Sequence, residues 1–111
     1  MDYGQMREAL RNYNWDNGLE LPKAFLKDSR CDLAMALEMF DLAGGYDYIY
    51  HINGKFSRLP GWMGFIQSLY ENILAEKYPK TGSQYKTPYT NEQQYCLWRD
   101  GVPSIFFTDL P

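Results

Sequence analysis

The stretch Ser29-Arg30-Cys31-Asp32-Leu33-Ala34-Met35-Ala36-Leu37-Glu38-Met39-Phe40-Asp41-Leu42-Ala43-Gly44-Gly45 carries the strongest local signals in the chain. Ser29 with Asp32 three positions later resembles a capping box, and Gly44-Gly45 supplies residues that take the left-handed backbone at a helix end. A helix is therefore predicted over 30–43. At the helical repeat, Leu33, Ala36, Leu37, Phe40 and Ala43 share one face and Met35, Met39 and Leu42 form a second stripe beside it. Only Ala34, Glu38 and Asp41 fall on a side expected to be wet. A helix apolar around most of its girth belongs at the centre of its domain; the other reading is a methionine stripe left open as a partner groove.

Outward from this segment the same periodicity predicts a helix over 3–13, with Met6, Ala9, Leu10 and Tyr13 in phase. The turn Asn14-Trp15-Asp16-Asn17-Gly18 should stop it, since Asn and Gly tolerate positive φ and Asp bonds its own backbone. A short helix is expected to start at Pro22 and carry Phe25 and Leu26 inward. The longest predicted helix covers 60–77, with Trp62, Phe65, Ile66, Leu69, Tyr70, Ile73 and Leu74 on one stripe. Residues 78–89 read as a loop. Thr90 and Gln93 form a capping box opening a helix to Arg99, which Asp100-Gly101 should end. The tail, 102–111, is expected to lie extended against the body and shelter Ile105, Phe106 and Phe107.

The segment 46–58 stays open. Tyr46, Tyr48, Tyr50 and Ile52 alternate with Asp47, Ile49, His51 and Asn53, and Asn53-Gly54 is a strong two-residue hairpin signal. With no third strand in view a lone hairpin is marginal, so a helical extension or an ordered loop competes with it. The fold class expected is mainly α: one domain, 1–111, a bundle of about five helices with a possible small hairpin near 46–58.

Composition narrows the function. Against 14 acidic residues stand 11 basic ones, a net charge of −3, so the basic face of a nucleic-acid binder is not expected. No apolar run approaches the roughly 20 residues of a membrane span and no basic stretch leads into an apolar one, so the chain reads as cytosolic. The β-branched residues are scarce, and Leu, Ile, Val and Phe together number only 24 of 111. The ten Tyr and three Trp must therefore supply much of the core, yet they exceed what one small core can swallow, so some should face water. Tyr46, Tyr48, Tyr50, Tyr78, Tyr85 and Tyr89 flank segments read as loops, where they could act as interface anchors or simply cap the edges of the core.

Candidate chemistry is thin. Asn12, Asn14 and Asp16 mimic the start of a calcium loop, but Asn17 stands where its glycine is required and Lys23 where its bidentate acid is required. His51 is the sole histidine and Cys31 and Cys96 are 65 positions apart, without zinc-ligand spacing or a nucleophile–base pattern; free thiols and no metal or cofactor are expected. Glu38 and Asp41 share a helix face, with Asp47 just past the Gly-Gly bend, an arrangement that could serve acid–base chemistry but is also that of a solvated face.

The run Asn14-Trp15-Asp16-Asn17-Gly18, Leu21-Pro22, Cys31-Asp32-Leu33-Ala34, Ala36-Leu37-Glu38-Met39-Phe40 and Leu42-Ala43-Gly44-Gly45-Tyr46 resembles a family of small bacterial proteins known only as a domain of unknown function, over about 14–95. The resemblance implies a bacterial domain with no assigned activity, whose relatives are associated with toxin and immunity gene neighbourhoods. Gly44 departs from it, since the family pattern has an acidic residue there.

The expected function is accordingly a non-enzymatic protein–protein interaction domain of immunity or antitoxin type. It would mask a basic partner, possible toxins included, with Glu38, Asp41 and Asp47 supplying charge and Tyr46, Tyr48, Tyr50, Tyr85 and Tyr89 supplying anchors. The alternative is a small hydrolase or ligand-binding domain in which a pocket joins Glu38, Asp41, Asp47 and His51. Carbohydrate stacking on Trp and Tyr is a third, weaker reading.

Overall fold

Side chains that cap backbone N–H groups set the starts of three of the six α-helices. In the computed structural model, which describes residues 1–111, Asp2 and Gln5 form a reciprocal capping box opening α1, Tyr3–Arg11. The Asn14 side chain accepts from the Asp16 N–H and shapes a 3₁₀ turn, Trp15–Asn17, closed by Gly18 at φ 94°. α2, Glu20–Lys27, begins two residues before the predicted Pro22, because the first-turn N–H groups have no helical partner and Pro22 loses nothing by lacking one. α3 spans Leu33–Leu42, three residues shorter at its start than predicted: Asp32 is the cap itself, accepting from the Met35 N–H at 2.9 Å, and Ser29 plays no part. α5 is Trp62–Leu74 and stops short of Lys77 because Glu76 turns left-handed at φ 58°. α6, Asn91–Arg99, starts under the Thr90–Gln93 capping box as predicted.

Of the readings left open for 46–58, the helical extension holds and the possible hairpin does not: no strand is present, and Gly45–Ile49 is a short helix, α4. Gly44 at φ 89° reverses the chain, and a Cβ on it would sit 2.6 Å from the Phe56 ring. Gly45 then lies against Phe40, where a Cβ would come within 2.2 Å of the ring. The close return keeps residues 46–50 against α3 and α5, and helical N–H···O bonds such as Tyr50 to Tyr46 replace any ladder. The sequence alternation is thus incidental, and the bundle has six helices rather than about five.

α3 is the hub, packed against α1, α4 and α5. Leu33 to Leu37, Met39 and Phe40 are all buried, including Ala34, which the pattern had placed on the wet side. That side is closed by α1 and by the 78–89 connection, whose Pro79 carbonyl accepts from the Leu33 N–H. Trp62 Nε1 donates to the Ala43 carbonyl at 2.8 Å and locks the start of α5 to the end of α3. Twenty buried residues form the main core, while Tyr89, Leu97 and Phe107 form a small second cluster that seats α6. The tail makes a 3₁₀ turn, Ser104–Phe106, buries Phe106 and Phe107, and pairs Leu110 with Tyr85 in a single antiparallel bridge.

Candidate functional site

The acidic residues of α3 have different fates one turn apart. Glu38 is held by two arginines of α1: Arg7 Nε donates to one carboxylate oxygen at 3.0 Å and Arg11 Nε to the other at 2.9 Å. Arg7 is 9% exposed and also donates to the Gln84 carbonyl, so this network fastens α1 and the 78–89 connection to α3. With both oxygens engaged, Glu38 is an internal anchor. Asp41 has no such partner. Burial, helped by the charge of Glu38, pushes its carboxyl up to about 6.

Tyr85 and Tyr89 lie close enough for the charge of Asp41 to add to the burial that raises both phenols. Far from presenting themselves as loop anchors, they are buried at 5% and 8% exposure. The Tyr89 hydroxyl is enclosed and has no hydrogen-bond partner. Its ring lies 5.7 Å from that of Tyr46, which is 4.9 Å from that of Tyr50, the C-cap of α4. Tyr46, Tyr48 and Tyr50 are half-buried. Tyr50 donates to Asp100 Oδ2 at 2.8 Å, linking α4 to the end of α6; burial first, and then that carboxylate, push its phenol up to about 12. Tyr48 packs on Tyr70, whose ring stacks on Phe106 at 4.5 Å.

Asp47 and His51 share a depression of about 230 Å³ with Ser57, Trp62 and Met63, and neither Glu38 nor Asp41 lines it. The structure therefore brings Glu38 and Asp41 near Tyr85, brings Asp41 and Asp47 near enough to Tyr89 to act on its phenol, and places Asp47 with His51 in the depression. The residue pair Asn53-Gly54 makes no hairpin turn; Gly54 gives room to Asp47, whose carboxylate would stand 3.0 Å from a Cβ there. Cys31 and Cys96 are free, and burial together with the charges of Asp32 and Asp28 pushes the Cys31 thiol up to about 12, far from a reactive thiolate. No group of three or more His, Cys, Asp or Glu side chains converges as metal ligands, and no helix is long and apolar enough to cross a membrane.

The exposed aromatic residues are elsewhere. Trp98 is 66% exposed and Tyr95 58%, side by side on α6 with ring centroids 6.0 Å apart. Residues flanking them on the same outer stripe, Asn91, Glu92 and Arg99, are exposed too. The loop criterion missed this pair, although a helical wheel locates it: Leu97 is the one buried residue of α6, and Tyr95 lies about 160° around the helix from it.

No curated protein and no solved structure matches this chain. Residues 3–94, spanning α1 through the first turn of α6, match the model of a domain of unknown function, DUF4274, and the chain belongs to that family.

Proposed function

We propose that this domain acts without catalysis, by binding a protein partner through the outer face of α6 and the acidic and tyrosine-bearing surface beside it. The observation that carries the reading is the exposure of Trp98 and Tyr95. A chain poor in aliphatic residues leaves two of its largest apolar side chains in water, and Trp and Tyr are the residue types that dominate binding energy at protein interfaces. Glu92 places negative charge on this surface and suits a basic partner, Asp100 is shared between Arg99 and the Tyr50 hydroxyl, and Tyr50 and Tyr46 stand at its margin. Asp41, Tyr85 and Tyr89 act beneath the surface as support for α4 and α6.

The immunity role, in which a toxin is the partner and is silenced by occlusion, is the finer part of the proposal and rests only on the association of relatives with toxin and immunity gene neighbourhoods that the sequence resemblance implies. A hydrolytic role is less well supported: both oxygens of Glu38 are occupied by arginines, and Asp47 and His51 face a depression that Asp41 does not line.

The test is a pull-down with the full chain followed by calorimetry against the product of the adjacent gene. A stoichiometric complex weakened roughly a hundredfold by Tyr95→Ala/Trp98→Ala, at unchanged melting temperature, is expected. Recovery of no stoichiometric partner, or a partner indifferent to both substitutions, overturns the surface; a neighbouring gene that encodes no toxin removes the immunity role.

A further inference from the structure

α2 and α5 flank an open groove of about 450 Å³, within the size range of small-molecule sites. Its form follows from residues that α5 lacks. Gly64 stands in the first turn of the 13-residue α5, where alanine is the better helix former. A Cβ built there would meet nothing within 4 Å, so packing inside the chain gives no reason for the glycine. Together with Gly61 and Ser68 it leaves a trough above Phe65 and Leu69.

The rim has one sign of charge. Lys23 and Lys27, one turn apart on α2, line the groove, and no Asp or Glu does. Every ion pair in the molecule uses an arginine, so neither lysine is paired with a carboxylate within 4.0 Å, Glu20 three residues before Lys23 on α2 included. Two unpaired ammonium groups at neighbouring helical positions are spaced to share the two oxygens of one carboxylate. An apolar floor beside them is complementary to a molecule with one charged end.

We propose that this groove binds a small amphipathic carboxylate, its alkyl or aryl body laid over Gly64 against Phe65 and Leu69 and its charged head held by Lys23 and Lys27. The site shares no residue with the outer face of α6, so its success or failure is independent of the partner-binding proposal.

Dodecanoate is the probe, titrated below its micelle concentration into the ¹⁵N-labelled full chain, with dodecyltrimethylammonium as the charge-reversed control. Dodecanoate is expected to shift the amides of Gly64, Ser68 and Lys23 saturably, and the cation to leave them in place. Lys23→Gln/Lys27→Gln should weaken binding roughly tenfold or more. Gly64→Leu, which fills the trough and improves helix propensity, should abolish binding while the melting temperature holds or rises. Equal binding of anion and cation, full binding by the Gly64→Leu variant, or no saturable shift overturns the proposal. So does a dimer, seen by sedimentation of the free chain, that Gly64→Leu dissolves, because the groove would then belong to a second copy.

Discussion

α3 and α6 follow the same rules at their ends and opposite ones along their sides. Each opens under a side-chain cap, Asp32 for one and Thr90 with Gln93 for the other, and each is followed by a glycine at positive φ, Gly44 and Gly101. Yet seven of the ten residues of α3 are buried, against one of the nine of α6. Capping fixes where a helix begins and ends; the apolar fraction of its girth fixes how deep it sits. α3 is the centre of the main core, while α6 rests on the three-residue cluster of Tyr89, Leu97 and Phe107. Large apolar side chains on α6 that do not join this cluster are free for another use.

The contrast can be broken most severely at Phe40, 2% exposed in the main core. Phe40→Ala should cost about 3–5 kcal/mol, measured by urea unfolding, and a loss under 1 kcal/mol would deny α3 its central place. Asp32→Ala comes next at about 2–4 kcal/mol, because it removes the cap of α3 and leaves the Tyr3 and Thr81 hydroxyls without their buried acceptor. Burial alone would raise the Asp32 carboxyl, but the bonds from Thr81, Tyr3 and the Met35 N–H outweigh it and hold the group below its ordinary value. Its contribution is thus complete above about pH 4 and shrinks as pH falls through the folded value, so wild type and variant should converge in acid.

Leu97→Ala, at a fully buried position of the small cluster, should cost about 2–3 kcal/mol. Hydrogen exchange should then show α6 opening while α3 stays protected, and equal loss of protection in both would show that the two cores are one cooperative unit. Asp41→Asn should act in the other direction. The carboxyl is raised to about 6, so the native state carries no penalty below about pH 4, where the group is protonated folded and unfolded alike. Above about pH 6 the folded chain must hold a half-buried charge, and the variant should gain about 1–2 kcal/mol there and nothing at pH 4. A gain that does not vary with pH would contradict this account. Smallest is Trp98→Ala, expected within about 0.5 kcal/mol of wild type by thermal unfolding. A larger loss would mean that the exposed ring serves the fold and not a partner.

Much of the architecture could be read from residues within one helical turn of each other. The Thr90–Gln93 box, the Gly44 reversal and the apolar girth of 33–43 each depend on neighbours along the chain, and each stands where the pattern puts it. The choice between hairpin and helix near 46–58 stayed open for a related reason. Four alternating positions also fit a helix, in which the Tyr46 and Tyr50 rings meet at a tilt one turn apart, and the choice between them fell to Gly45 against the Phe40 ring. Of the candidate site, the acidic residues were visible as a group, but not their partners.

Local propensity, capping and hydrophobic period determined a single mainly helical chain organised around residues 33–42, because those effects act between residues three or four apart. Only the packed structure decided that Glu38 would be tied by Arg7 and Arg11, 31 and 27 positions away, that Tyr85 and Tyr89 would be buried, and that Tyr95 and Trp98 would be left in water. Contacts at such separations depend on which helix faces meet, and a face is assigned only when every other element has taken its place against the core.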